Sequence, residues 1–260
     1  MKIPENIQRF LTQESYETDQ VGMSDAKVLL FSDKVLKIEP ESEESAYEYS
    51  IMKWLKGKLP VPEVLAFEKE NGKNYLLMSR LCGEMACSER YMKTPDELVT
   101  LLAKGMELLW QVNITHCPFI NNLDKKLKIA EYRVLHSMVD VEDTEPDTFT
   151  RDFQSPAHLL DWLKQNKPEE ELVFTHGDYC LPNIFLKDGS VNGFIDLGRA
   201  GVADKWQDIA LCYRSLKHNK NGLYGGGMYE GVSPDLLFDR LTIQPDWDKI
   251  RYYILLDELF

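Results

Sequence analysis

The stretch His176-Gly177-Asp178-Tyr179-Cys180-Leu181-Pro182-Asn183, followed by Ile195-Asp196-Leu197-Gly198-Arg199, decides how this chain is read. Between its two parts, the runs 184–186 and 191–195 are β-rich and joined by Asp188-Gly189, which predicts a hairpin. Asp178 and Asn183 then share a loop just before one strand, and Asp196 ends the strand that returns beside it. Such a hairpin lets all three side chains converge on one point. Phosphoryl transfer needs a carboxylate near the attacking hydroxyl and oxygen ligands for magnesium. Taken singly, each residue has an ordinary structural explanation; the full string in its hairpin context points to a kinase loop.

Working outward, the first third reads as short strands with one helix among them. Residues 26–31 and 34–39 are strand-like about Ser32-Asp33, and Tyr47, Ile51, Trp54 and Leu55 fall on one helical face ended by Gly57. Two further strands, 62–68 and 73–79, turn on Asn71-Gly72. After Cys82-Gly83 the period becomes helical. Thr94-Pro95-Asp96-Glu97 predicts an N-cap with a capping-box glutamate. Leu127, Ala130, Val134, Leu135 and Met138 predict another helix, and Ser155-Pro156 opens a third. Helical patterns resume at 204–216 and 247–260, on either side of the glycine-rich 222–231.

With 30 Lys+Arg against 43 Asp+Glu, the formal charge is −13. That balance disfavours nucleic acid and membrane partners and attracts polycations. Five scattered cysteines without a Cys-x-x-Cys pair suggest neither a disulfide framework nor a zinc site, and most are expected to be buried thiols. The residues at the start lack a signal-peptide pattern, so a cytoplasmic protein is expected.

The loop string closely resembles the catalytic and metal-binding loops of the aminoglycoside phosphotransferases, small-molecule relatives of the protein kinases. The resemblance extends to Trp54–Pro62, His116–Phe119, Val202–Trp206 and Tyr252–Phe260, and implies the 3′ subclass. It implies an α+β, protein-kinase-like two-lobed fold. Residues 1–79 would form a small antiparallel β-sheet lobe with one helix, 80–83 a hinge, and 84–260 a larger, mainly helical lobe. It also implies a monomer using ATP and Mg2+ to phosphorylate drugs such as kanamycin and neomycin.

Roles follow from the same resemblance. Asp178 matches the catalytic base, and Asn183 and Asp196 match the magnesium ligands. Lys37, in the strand-like Val35-Leu36-Lys37-Ile38, matches the phosphate-binding lysine, with Glu48 as its partner. Gly22-Met23-Ser24 does not fit G-x-G-x-x-G, but it is similar to the family's own segment in which Ser24 would approach the phosphates. Met78-Ser79-Arg80-Leu81 matches the hinge, where Ser79 and Leu81 would bind adenine through their backbones. Protein kinases typically carry Arg where Gly177 stands.

For the acceptor, Asp257, Glu258 and the terminal carboxylate of Phe260 place three negative groups at one helix end, where the dipole is already negative. A polycation would relieve that repulsion, and the resemblance assigns these groups to drug binding. Glu142 and Glu145 align with another substrate-facing loop. The glycine-rich 217–232 departs from the family pattern. Two other readings remain open: a kinase of another hydroxylated metabolite, and a kinase-shaped sensor that holds nucleotide without transferring phosphate.

Overall fold

The computed structural model describes residues 3–11, 15–18, 26–223 and 226–260. The candidate phosphate-loop residue Ser24 lies outside the described residues. In chain order come α1 (Glu5–Gln8), β1 (Glu17–Thr18), β2 (Lys27–Leu30), β3 (Lys34–Pro40), α2 (Glu43–Leu55), β4 (Val64–Glu70), β5 (Lys73–Ser79) and β6 (Glu84–Met85). Then follow α3 (Glu89–Met92), α4 (Pro95–Trp110), α5 (Leu123–Leu135) and α6 (Pro156–Gln165). Strands β7 (Leu172–Thr175), β8 (Ile184–Lys187), β9 (Ser190–Phe194) and β10 (Gly201–Asp204) precede α7 (Lys205–Lys220), α8 (Leu236–Leu241) and α9 (Trp247–Asp257). The chain divides into two compact units, Met1–Met85 with Asn183–Arg199, and Ala86–Pro182 with Ala200–Phe260. No helix among the described residues is long and apolar enough to cross a membrane.

The first unit is built on an antiparallel sheet of order β1-β2-β3-β5-β4. Asn71 (φ +54°) and Gly72 (φ +70°) both adopt the left-handed region, as a tight two-residue hairpin demands. Ile7, Leu29, Phe31, Leu36, Ile38, Tyr75 and Leu77 form one buried cluster of this unit. Helix α2 starts where Ser42 and Ser45 cap one another and ends before Gly57, which takes φ +77°. Its buried residues are Ser45, Glu48, Ile51, Met52 and Leu55, whereas the expected Tyr47 and Trp54 are only half-buried. The inward face includes a carboxylate because a lysine waits there to pair with it. Strands β6, β8 and β9 make a second small sheet, whose hairpin turns through Asp188 (φ +48°) and Gly189 (φ +71°).

In the second unit β7 pairs with β10, and helices supply most of the core. Phe174, Tyr179, Tyr252 and Tyr253 are all essentially inaccessible. The three tyrosine hydroxyls bond Leu102 O, Leu163 O and Asp204 Oδ2, so no polar group is stranded by burying these rings.

Three local expectations need correction. Thr94 takes the N-cap position of α4 with Pro95 next, as read, but its side chain makes no cap bond: its hydroxyl donates to Arg90 O and Tyr91 O, closing the preceding turn of α3. Helix α5 stops at Leu135, short of Met138, because Ser137 takes φ +52° and turns the chain; Leu135 and Met138 are both exposed. Of the cysteines only Cys117 and Cys212 are buried; Cys82, Cys87 and Cys180 sit in loops, and all five are free.

Candidate active site

Lys37 occupies the middle of β3, paired with Val28 on one side and Leu76 on the other. Flanking strands on both sides hold its backbone, so its direction is set by the sheet. Its ammonium lies 2.8 Å from Glu48 Oε2, 2.9 Å from Asp196 Oδ1 and 3.6 Å from Glu39 Oε2. One cation thus faces three carboxylates. Burial alone would lower the Lys37 pKa, but Glu48 and then Asp196 outweigh it, and the ammonium is held protonated far above its usual range. Burial raises both Glu39 and Glu48, with the lysine acting against it in each case. Glu48 also accepts from the Leu197 backbone N–H at 3.1 Å, tying α2 to the chain just past Asp196.

Asp196 follows β9 with φ +58°, a conformation tolerated by Asp but uncommon for most residues. Ile195 N donates to Asn183 O at 3.0 Å, so the two candidate ligand segments are joined across the base of the β8–β9 hairpin. Arg199 reaches Glu44 Oε1 at 3.3 Å, an anchor on α2. At the other side of the sheet, Ser79 N donates to Glu63 O, Ser79 Oγ accepts from Glu63 N at 2.8 Å, and Arg80 N donates to Asp33 O. These bonds fix the backbone from which Leu81 departs; the Leu81 side chain packs against Gly193 so closely that a β-carbon there would collide with it.

Asp178 belongs to the second unit. Its loop is gripped from α7: Asp208 accepts from His176 N at 2.7 Å and from Gly177 N at 2.9 Å, and Gln207 Nε2 donates to Gly177 O at 2.6 Å. Gly177 has φ +86°, which an Arg would adopt only under strain. Leu181 N donates to Ser215 Oγ, a further bond from α7. Burial pushes the Asp208 carboxyl up to about 7 against those two N–H donors and Lys126.

The same helix meets the C-terminal acids. Arg214 pairs with Asp257, and its other nitrogen lies 3.5 Å from Glu258 Oε1. Glu258 is buried, accepts from Glu145 N at 2.9 Å, and is pushed by burial up to about 7. Glu145 Oε1 lies 2.7 Å from His218 Nε2, whose hydrogen bond is the first cause holding the Glu145 carboxyl below its usual range. The sequence reading treats the terminal acids as repelling charges that await an outside cation; Arg214 already neutralises part of that repulsion. Arg133 Nε donates to Leu259 O, and its guanidinium lies 6.0 Å from the Phe260 ring, holding the segment that follows α9. Glu142 is exposed, with its N–H bonded to Asp140.

A family model described as the phosphotransferase enzyme family, APH, matches residues 17–252. This chain belongs to the APH phosphotransferase family. Aminoglycoside 3′-phosphotransferases of Enterococcus faecalis and Staphylococcus aureus are each 42% identical to it, covering 100% of this chain and 99% of theirs. A crystal structure of an aminoglycoside-3′-phosphotransferase of type VIII superposes with a TM-score of 0.80 at 25% identity, covering 98% of each chain. The APH fold is therefore the kinase-like α+β arrangement anticipated for it.

Within this APH member, sequence reasoning missed what α7 contributes. Gln207, Asp208 and Ser215 are polar yet buried, and Arg214 stands beside them. A signal existed: Asp208 and Ser215 are seven residues apart, as are Gln207 and Arg214, so each pair shares a helix face. A helix carrying polar groups toward the core needs partners there, and in this APH chain the partners are the Asp178 loop and the C-terminal acids.

Proposed function

We propose that this phosphotransferase transfers the γ-phosphoryl group of ATP to the 3′-hydroxyl of an aminoglycoside, conferring resistance to that antibiotic class. The observation that carries the reading is the Lys37–Glu48–Asp196 cluster, held in a chain similar over its whole length to aminoglycoside 3′-phosphotransferases. A buried lysine with a carboxylate partner is what phosphate binding requires.

In this reading Lys37 receives the phosphates of ATP and Glu48 keeps its ammonium aimed. The carboxamide of Asn183 and the carboxylate of Asp196 would hold magnesium. These oxygen donors suit a hard divalent cation, and a cluster with more carboxylates than ammonium groups has charge for it to balance. When bound, the ion neutralises charge on the phosphates. Asp178 accepts the proton of the acceptor hydroxyl as its oxygen bonds to phosphorus and the bond to ADP breaks. Ser79 and Leu81 supply backbone contacts for adenine, and Ser24 approaches the phosphates. Glu145, Asp257 and Glu258 receive ammonium groups, with Phe260 and exposed Glu142 as further contacts. The enzyme works as a cytoplasmic monomer.

ADP release measured in a coupled assay tests the proposal. Turnover that starts only when kanamycin is added supports it; turnover driven by choline or a simple sugar instead, or none with any acceptor, overturns it. NMR of the product then identifies the phosphorylated position, and a site other than 3′ rejects the regiochemistry.

A further inference from the structure

Cys180 lies two residues beyond Asp178, and the backbone around it is secured on both sides. Its own N–H donates to Asp178 O at 2.9 Å, and the next N–H, of Leu181, donates to Ser215 Oγ at 3.0 Å. From a backbone held at these two anchors, Sγ lies 3.0 Å from Asp178 Oδ1. An ionised carboxylate only accepts, so the thiol must be the donor. The surroundings keep it a thiol: although the residue is only half-buried, desolvation of its sulfur raises the Cys180 pKa well above its usual value, and neighbouring Asp178 adds to that, against Arg214. The sulfur is also close enough to Arg214 and Asp257 to interact with both electrostatically.

We propose that Cys180 is a positioning residue, whose S–H holds one oxygen of Asp178 and leaves the other directed at the acceptor hydroxyl. The inference rests on the reading of Asp178 as the proton acceptor. A carboxylate rotates readily about its last bond unless something grips an oxygen. The Cys180 thiol, 3.0 Å from Asp178 Oδ1, supplies such a grip.

The test is steady-state kinetics with kanamycin and ATP on Cys180→Ala, Cys180→Val, Cys180→Ser and Asp178→Asn. Ala empties the space of the sulfur and Val fills it, so a loss common to both reports the missing donor rather than a changed volume. The expected result is a fall of roughly tenfold in kcat for both, the scale of one hydrogen bond to a charged group, with KM for ATP and for kanamycin within about twofold. Cys180→Ser, which restores a donor, should recover more than half the rate. Either apolar variant turning over at the parental rate, or Ser as slow as Ala, overturns the inference. Asp178→Asn should be nearly inactive; full turnover by that variant removes the reading of Asp178 itself, and an inactive Asp178→Asn beside a normal Cys180→Ala removes only the role of the thiol.

Discussion

Lys37 Nζ lies 2.9 Å from Asp196 Oδ1 although 159 positions separate the two residues in the chain. Glu48 joins them, accepting from Lys37 with one oxygen and from Leu197 N with the other. The carboxylate is therefore a hinge pin for two segments at once, and its loss should be felt at both.

Replacing Glu48 by Ala removes a buried anion that holds a buried cation. Its loss leaves Lys37 to Asp196 and Glu39 alone and strips the Leu197 N–H of its acceptor. We expect KM for ATP to rise about tenfold and kcat to fall by about two orders of magnitude, with Tm lower by several degrees. Initial-rate kinetics over a range of ATP, with thermal unfolding alongside, would check this. An unchanged KM for ATP would show that Lys37 needs no partner.

Asp208→Asn keeps the size of the side chain but exchanges one acceptor oxygen for a donor amide. That amide then opposes either His176 N or Gly177 N, both of which donate. The expected outcome is a kcat reduced about tenfold, with both substrate KM values near the parental ones. A variant that alters only KM would place Asp208 outside the control of the Asp178 loop.

For Glu258 the pH dependence has two opposite signs. Its folded carboxyl titrates near 7, above the ordinary 4.5. Below 7 it becomes neutral, so its attraction for an ammonium group is lost and KM for the drug should rise as pH falls from 8 to 6. Stability runs the other way. Between 4.5 and 7 the folded state binds more protons than the unfolded chain, so this group makes unfolding easier as pH rises through that window. Glu258→Gln should flatten both trends; a variant with the parental pH profiles would assign them to other groups.

Gly83 and Gly72 offer a paired test of backbone strain. Both have positive φ, yet a β-carbon on Gly72 meets open space while one on Gly83 presses into the Leu186 backbone carbonyl. Gly72→Ala should cost about 1 kcal/mol and Gly83→Ala at least about 2 kcal/mol, measured by denaturant unfolding. Equal losses would mean that conformation alone, not contact with β8, governs Gly83.

Drug binding through carboxylates should weaken with salt. Raising ionic strength from about 0.05 to 0.5 M is expected to raise KM for kanamycin several-fold, since exposed charges are screened over a shorter distance. A salt-independent KM would favour hydrogen bonds over charge at that site.

Much of the fold was legible locally. The Asn71-Gly72 and Asp188-Gly189 hairpins, the Gly57 stop and the Ser155 cap were all readable, since each depends on the φ a residue tolerates or a donor a few positions away. The loop strings likewise advertised phosphoryl transfer through residue type and spacing. The readings that failed, the Thr94 side-chain cap bond and the α5 end near Met138, are places where a second local arrangement competed.

The sequence by itself determined where strands, turns and helices begin, and which residue types could bear the chemistry, because those properties live in a few consecutive side chains. Tertiary structure alone decided that Asp208 grips the loop of Asp178 and that Arg214 rather than solvent meets Asp257 and Glu258. A charge buried away from water must find a partner or a proton, and which partner lies within reach is set by how distant segments pack.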